Sequence, residues 1–391
     1  MIGIITWVHP DYCMPTMWAS KTLAKTYQVL VLCKDAFETK GNYPSPVKII
    51  KIGPKRLDFN EFANLSAIQK GRDYWEFCLS VFKFIENYRP EVLIVYYPVS
   101  FFIGFISAKL FKIPLLYYVN EYYTLSDLPK KLSFHYFYKL LEKILSKKAD
   151  AIIDVEKNRL RLFRKFAHLD NTPSFVVTNC PLSGLEIPTR IPKILSQCKN
   201  QKKKILLYQG IISDGHCHAE MVRALIDLPE EVVLVLLGHG QPDYKASLQN
   251  LAKTNGVEHR LLLLDRVSPE ELFSYIAAAD IGLLLYRPKS LNSIYAAPGK
   301  LFEYLAMGVP VIYPGKTAIR EIIGPLDVGE AYREETPEDL AKSVRYLLNR
   351  LERDPHIKKR ARESYLQQFN YETQFAPVMD FIAQLIKSSS K

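Results

Sequence analysis

Asn292-Ser293-Ile294-Tyr295-Ala296-Ala297-Pro298-Gly299-Lys300-Leu301-Phe302-Glu303-Tyr304-Leu305-Ala306-Met307-Gly308-Val309-Pro310-Val311-Ile312 reads as loop, helix, tight turn and strand. Pro298 and Gly299 break any preceding element and leave backbone N–H groups free at the helix start. Lys300 sets a positive charge beside the positive end of the helix dipole. That is poor for an isolated helix and good for an anion held there. Glu303, one turn further in, can accept hydrogen bonds from two vicinal hydroxyls such as a ribose offers. Gly308 ends the helix, and Val309-Pro310-Val311-Ile312 starts a buried strand. A phosphate at the helix tip and a ribose on the carboxylate together describe a nucleotide-diphosphate site. The plainer alternative is a helix–strand unit in which Gly308 is only a C-cap.

Outward from this stretch, apolar runs and helical spacings alternate. Strands are expected at Ile2–Trp7, Val29–Leu32, Val47–Ile52, Glu91–Tyr97, Leu115–Val119, Ala151–Val155 and Ser174–Thr178, with helices between them. Such alternation implies a parallel sheet covered by helices on both faces. Near Asn179-Cys180-Pro181 the character changes, and residues 183–203, rich in Pro, Ser, Lys and Gln, read as a linker. The alternation then restarts from Ile205–Tyr208. The expected organisation is therefore residues 1–182, the linker 183–203, and 204–370, each flank an α/β Rossmann-like domain, followed by an amphipathic helix within 371–391.

A chain of 391 residues has room for two such domains. Its 48% hydrophobic and 24% charged residues are those of a globular protein. The net charge is +11, and residues 1–195 hold 27 basic against 17 acidic side chains, nearly all of the excess. That half is expected to face something anionic: a membrane surface, a phosphorylated lipid or an acidic glycan. No nucleic-acid recognition motif occurs. The six cysteines form no CxxC pair, which argues against a disulfide framework or zinc site and fits a reducing cytoplasm. Met1–Trp7 has no basic region ahead of an apolar one and reads as a strand rather than a signal peptide. The uncharged run Val92–Ala108 is slightly short for a membrane span and reads as a strand, a turn at Pro98 and a core helix.

The opening stretch resembles the donor-site motif of GT-B glycosyltransferases, in particular the retaining family 4 branch. The resemblance rests on Asn292, Tyr295, Pro298, Lys300, Phe302, Glu303, Tyr304, Ala306, Gly308, Pro310 and Val311. Weaker matches elsewhere include Tyr208-Gln209-Gly210, Gly238-His239-Gly240, Ala278-Ala279-Asp280 and Asn179-Cys180-Pro181. It implies the GT-B fold: two Rossmann-like domains facing a central cleft, with the C-terminal helix crossing back to the first. It also implies transfer of a sugar, with retention and without a metal, from a nucleotide-diphosphate donor to a hydroxyl acceptor. No cofactor beyond that donor is expected.

The donor residues implied are Gly210, His216, Gly238, Arg266, Val267, Asn292, Tyr295, Pro298, Gly299, Lys300, Leu301 and Glu303. The loop Tyr208–His216 can wrap a diphosphate with backbone N–H groups, Gly210 permitting close approach. Family members usually carry Arg or Lys near position 216; a His there is charged only when protonated, or is simply a loop residue. The family's E-x7-E pair keeps Glu303, but Tyr295 stands at its first position. Lys300 and Glu303 are the expected catalytic residues of this half. In the first half, Asn120 replaces a family His and Glu121 is the nearest carboxylate; both are expected at the reacting centre, with a helix N-cap the plainer role for Glu121. His9 and Asn120 are the acceptor-side candidates. No DxD occurs, so helix-dipole neutralisation is expected in place of a chelated cation. A nucleotide-sugar epimerase and a catalytically inactive binding subunit remain as alternatives.

One further segment is set apart by its composition. Lys130, Lys131, Phe134, Tyr136, Phe137, Tyr138, Lys139, Lys143, Lys147 and Lys148 make a basic, aromatic-rich stretch. It suits either a half-buried helix with solvated lysines or a peripheral contact with the anionic inner face of a membrane.

Overall fold

The protein is described here by a computed structural model covering residues 1–35, 41–53, 65–125, 128 and 134–389. Met1–Leu182 with Tyr371–Lys391 forms one compact unit and Ser183–Asn370 the other. Among the described residues, the first unit holds β1 (Ile2–Ile5), β2 (Val29–Lys34), β3 (Val47–Ile52), β4 (Val92–Tyr96), β5 (Leu115–Tyr118), β6 (Ala151–Asp154) and β7 (Ser174–Val176). They form a wholly parallel sheet in the order β3-β2-β1-β4-β5-β6-β7. The central strands are buried on both faces, which is why they read as unbroken apolar runs. Helices Ala67–Tyr88, Pro98–Leu110 and Lys157–Ala167 cover one face, where Phe77, Val81, Phe101, Phe105 and Phe163 meet Leu93, Val95 and Tyr117. Helix Met14–Leu23 and the last helix, Tyr371–Ser389, cover the other through Ala19, Leu23, Tyr371, Phe375, Val378 and Ile382.

The second unit holds β8 (Lys204–Gln209), β9 (Val232–Leu237), β10 (Leu261–Leu264), β11 (Ile281–Leu283), β12 (Val311–Pro314) and β13 (Gly329–Tyr332). Its sheet is also parallel, in the order β10-β9-β8-β11-β12-β13. The order reverses between β8 and β11. In open parallel sheets the crevice beyond the strand C-termini at such a point is where ligands sit.

Four expectations need correction. Pro98 does not form a turn: it is the first residue of its helix, where a missing N–H costs nothing. Residues 183–203 are not featureless: helix Lys193–Asn200 lies there, with Leu195 buried and Lys199 bonded to Asp280 at 2.7 Å. β13 and the helix Ile319–Leu326 were not foreseen from sequence. Lys139 is not solvated. It is fully buried, 2.5 Å from Glu142 one helical turn away, and lies 4.4 Å from the ring centre of Tyr123 and 5.1 Å from that of Phe166. The Tyr117 hydroxyl donates to the same carboxylate at 2.5 Å. An ion pair inside aromatic faces is how a helix can turn a lysine inward. Lys130 and Lys131 lie outside the described residues. Among the described residues, no helix is long and apolar enough to cross a membrane.

Candidate functional site

The site of the second unit grows from the ends of β8 and β9. Gly210 and Gly238 follow these strands with φ of +131° and +153°, values that side chains resist. Their loops run against each other: Gly210 N donates to Leu237 O at 3.0 Å and Ile212 N to His239 O at 2.7 Å. A Cβ at Gly238 would overlap the Gly210 carbonyl oxygen. A Cβ at Gly210 would lie 3.1 Å from Lys300 Nζ, so this glycine leaves the room that the lysine occupies.

Lys300 is the second residue of helix Gly299–Ala306. The helix is preceded by Pro298, and no side chain caps its first turn. It is anchored from below: Leu301, Phe302 and Tyr304 are fully buried, the Tyr304 hydroxyl donates to Leu207 O at 2.8 Å, and its ring packs where Gly282 has no side chain. Gly308, at φ +69°, terminates it. Lys300 Nζ stands over the Tyr208 ring, 4.3 Å from its centre. Burial lowers its pKa to about 8, with Glu303 acting in the opposite direction. Glu303 accepts a 2.7 Å hydrogen bond from Gln209 Nε2. Burial raises the pKa of its carboxyl, against the hydrogen bond from Gln209 and the charge of Lys300.

His216 lies in the same loop system, its Nδ1 3.1 Å from Ser213 Oγ and its ring stacked on His218 at 5.3 Å. Burial lowers its pKa to about 4, and the charges of Lys300 and Arg287 add to that. His216 is thus neutral at physiological pH and serves as a hydrogen-bonding group, not a cation. The nearby Arg287 is engaged by Glu220 at 2.6 Å and Glu335 at 3.1 Å. Among the described residues, Lys300 is left as the positive charge of the site that no ion pair claims.

The fold therefore brings Gly210, His216, Gly238, Pro298, Gly299, Lys300 and Glu303 to one end of one sheet. Leu301 is placed otherwise: its side chain is in the core and its N–H goes to Pro298 O at 3.0 Å. Asn292 lies on the short helix Leu291–Ile294, and the half-buried Tyr295 closes that helix. Arg266, exposed, and Val267, half-buried, follow β10. Tyr208 and Gln209 were named from sequence only as part of the Gly210 loop, with no role of their own, and His218 was not singled out. The position of Tyr208 and Gln209 as the last two residues of the strand feeding the Gly210 loop was the available signal. No cluster of three His, Cys, Asp or Glu side chains able to hold a metal occurs among the described residues.

The candidates of the first unit sit beyond the C-termini of its own strands. Asn120 follows β5 at φ +62° and Tyr97 follows β4 at φ +66°. Asn120 Nδ2 donates to the Tyr97 hydroxyl at 2.7 Å, and Arg159 donates to the Asn120 carbonyl at 2.7 Å. Two side-chain-bearing residues in this conformation mark stored backbone strain, held in place by these bonds. Glu121 is exposed in a bend and caps no described helix. His9 is buried, its Nδ1 accepts from Asp11 N at 3.2 Å, and burial lowers its pKa. His9 Nε2 has no hydrogen-bond partner among the described residues.

Residues 193–364 match a family model described as Glycosyl transferases group 1. No curated protein sequence matches the chain. Solved structures similar in fold include Anabaena HepE in complex with UDP, 13% identical with a TM-score of 0.71, over 98% of this chain and 99% of that one. Sucrose-phosphate synthase from Thermosynechococcus elongatus is 16% identical with a TM-score of 0.77, over 99% of both chains. A glycosyltransferase from Rickettsia africae is 13% identical with a TM-score of 0.73, over 99% of this chain and 98% of that one.

Proposed function

We propose that this GT-B chain, whose residues 193–364 match the group 1 glycosyl transferases, moves a sugar from a nucleoside-diphosphate donor to a hydroxyl acceptor, with retention and without a metal. The observation that carries this is the uncapped start of helix Gly299–Ala306, with Lys300 at its tip and Glu303 one turn deeper, at the switch point of the second sheet. The diphosphate takes the helix N–H groups and the Lys300 ammonium, and the ribose hydroxyls take Glu303. That HepE, similar in fold, was solved in complex with UDP supports a nucleotide as ligand.

In the proposed step the bond between the sugar C1 and the departing phosphate oxygen breaks, and the acceptor oxygen bonds C1 on the same face. The acceptor proton passes to the departing diphosphate. No protein carboxylate is then needed as base, which suits an Asn at position 120. His9 and Asn120 are proposed to hold the acceptor, which is a glycan, a lipid-linked sugar or a small molecule. The setting proposed is the cytoplasm, at the inner face of a membrane.

The test is incubation with a panel of nucleotide sugars, followed by chromatography of nucleotide and sugar. Release of nucleoside diphosphate supports transfer. A donor returned with changed stereochemistry points to an epimerase, and an untouched panel points to an inactive binding subunit.

Three outcomes are expected. Glu303→Ala weakens nucleoside-diphosphate binding by roughly 1.5–3 kcal/mol, or about ten- to a hundredfold, because one charge-assisted interaction is lost. Calorimetric titration measures it, and equal affinity excludes the ribose role. EDTA leaves transfer intact, since cation and helix N–H groups come from the chain; loss on chelation, restored by magnesium or manganese, overturns this. Nucleoside-diphosphate affinity also falls as pH rises through about 8, because the form of Lys300 that attracts the diphosphate is the protonated one and its pKa is lowered to about 8. Above that pH the decline approaches about tenfold per unit while the complex stays protonated. A flat titration curve between neutrality and the mildly alkaline range contradicts it.

A further inference from the structure

The sheet face of the first unit that carries helices Ala67–Tyr88, Pro98–Leu110 and Phe134–Leu145 has an unusual outer side. Of the seventeen large apolar side chains that are exposed among the described residues, nine lie on these three helices. They fall in stripes facing away from the sheet. On Ala67–Tyr88, Phe77, Val81 and Phe84 point into the core, whereas Trp75 and Leu79, one turn apart, are 65% and 46% exposed. On Pro98–Leu110, Phe101 and Phe105 are inside and Leu110 is 62% exposed. On Phe134–Leu145, Tyr138, Lys139 and Glu142 turn inward, and Phe137, Leu140 and Ile144 turn outward. This last helix is unusual for a surface helix: the Lys139–Glu142 ion pair is turned to the core beside Tyr138 and Leu145, while Leu140 and Ile144 are in solvent.

The three helices form one continuous layer. Tyr74 of the first meets Tyr138 of the third at 5.0 Å between ring centres, and Phe102 of the second meets Phe137 of the third at 6.5 Å. The outward side chains therefore lie on the solvent side of three neighbouring helices. A concentration of exposed apolar side chains on neighbouring helices of a folded domain marks a contact surface.

The charge around the stripes identifies the partner. Arg72, Lys83, Lys109, Lys147 and Lys148 are exposed on or directly after these helices, against exposed Glu76 and Glu86. A second copy of the chain would set this basic rim against itself, which costs free energy. An apolar patch rimmed by long, basic, flexible side chains fits a surface with hydrocarbon below and anionic groups above it. The stems of the lysines extend over the boundary and their ammonium groups reach the headgroups.

We propose that the outer face of helices Ala67–Tyr88, Pro98–Leu110 and Phe134–Leu145 docks on an anionic lipid bilayer, with Trp75, Leu79, Leu110, Phe137, Leu140 and Ile144 entering the headgroup–acyl boundary and the basic rim contacting acidic lipid. The contact differs from a purely basic helix, because Lys139 is internal and apolar side chains carry part of the binding. It does not depend on whether the chain transfers sugar.

Co-sedimentation of the full chain tests it without any substrate. One set of vesicles is phosphatidylcholine alone and the other is phosphatidylcholine and phosphatidylglycerol in equal parts. The chain sediments with the second and not the first, and high salt releases most of it. Two variants, Leu79→Glu with Leu140→Glu, and Lys83, Lys109, Lys147 and Lys148 all changed to Gln, each bind at least roughly tenfold more weakly. All substituted side chains are exposed, and circular dichroism checks that both variants are folded. Equal binding to both vesicles, binding to neither, or binding unchanged in the Leu79→Glu, Leu140→Glu variant overturns the proposal. So does a lipid-free dimer that this variant dissolves, which would assign the face to a second copy.

Discussion

Lys300→Ala lowers the rate of sugar transfer by about 100- to 1000-fold at saturating donor, the loss that follows removal of one preorganised group from a developing negative charge. The expected effect is this large because nothing nearby replaces the charge. His216 is neutral, its pKa lowered to about 4, and Arg287 is committed to Glu220 and Glu335. Lys300 itself, with a pKa of about 8, remains mostly protonated at neutral pH. The same lowering gives the control. A lysine whose pKa falls on folding opposes folding below that pKa, and the penalty fades as pH rises through it. Removing the ammonium therefore leaves the melting temperature unchanged or raised at neutral pH while activity collapses. Lys300→Arg keeps the charge without the point geometry and retains intermediate activity. A Lys300→Ala enzyme with ordinary turnover contradicts the assignment; a parallel loss of melting temperature would make the residue structural.

Gly238→Ala destabilises the second unit by about 3 kcal/mol or more, combining backbone strain at positive φ with overlap onto a neighbouring carbonyl. The added methyl group has nowhere to go. The Gly210 carbonyl it would strike is held by the bonds from Gly210 N to Leu237 O and from Ile212 N to His239 O. For a unit of this size the loss corresponds to roughly 6–12 °C in melting temperature. Calorimetry measures it. Because the same loop borders Lys300, nucleotide affinity falls as well. A variant that melts with the parent contradicts the tight loop crossing.

The parts of this fold that were legible are those in which one segment determines its own state. β3 was placed to the residue, and β9 and β10 are apolar runs with no polar interruption. Helix Gly299–Ala306 was visible from Pro298, Gly299 and Gly308 alone. β13 was not: Gly-Glu-Ala-Tyr at a sheet edge is only half buried and offers no apolar run. Helix Ile319–Leu326 was hidden by Gly324 and Pro325, which sit in its last turn and read as helix breakers in the sequence. Helix Lys193–Asn200 was hidden by linker-like composition, with Leu195 as its sole buried residue.

The candidate site divides in the same way. Lys300 and Glu303 were legible because dipole, charge and spacing occur within one helix. Gln209 was not, since its bond to Glu303 joins residues 94 apart in sequence. His216 was legible as a position but not as a charge state, which burial and its cationic neighbours decide. Lys139 was misread because a lysine in a helix ordinarily signals solvent. Its partner Glu142 and the rings around it become evident only when helix Phe134–Leu145 is set against Tyr117, Tyr123 and Phe166.

The central claim is that a nucleoside diphosphate sits at the start of helix Gly299–Ala306. A crystal structure of the chain with the nucleoside diphosphate released in the donor panel tests it most directly. The account predicts diphosphate oxygens within hydrogen-bonding distance of Lys300 Nζ and of the backbone N–H groups at Gly299 and Lys300, with the ribose hydroxyls on the Glu303 carboxylate. A nucleotide bound elsewhere, or turned so that its ribose leaves Glu303 free and its phosphates avoid Lys300, would contradict it.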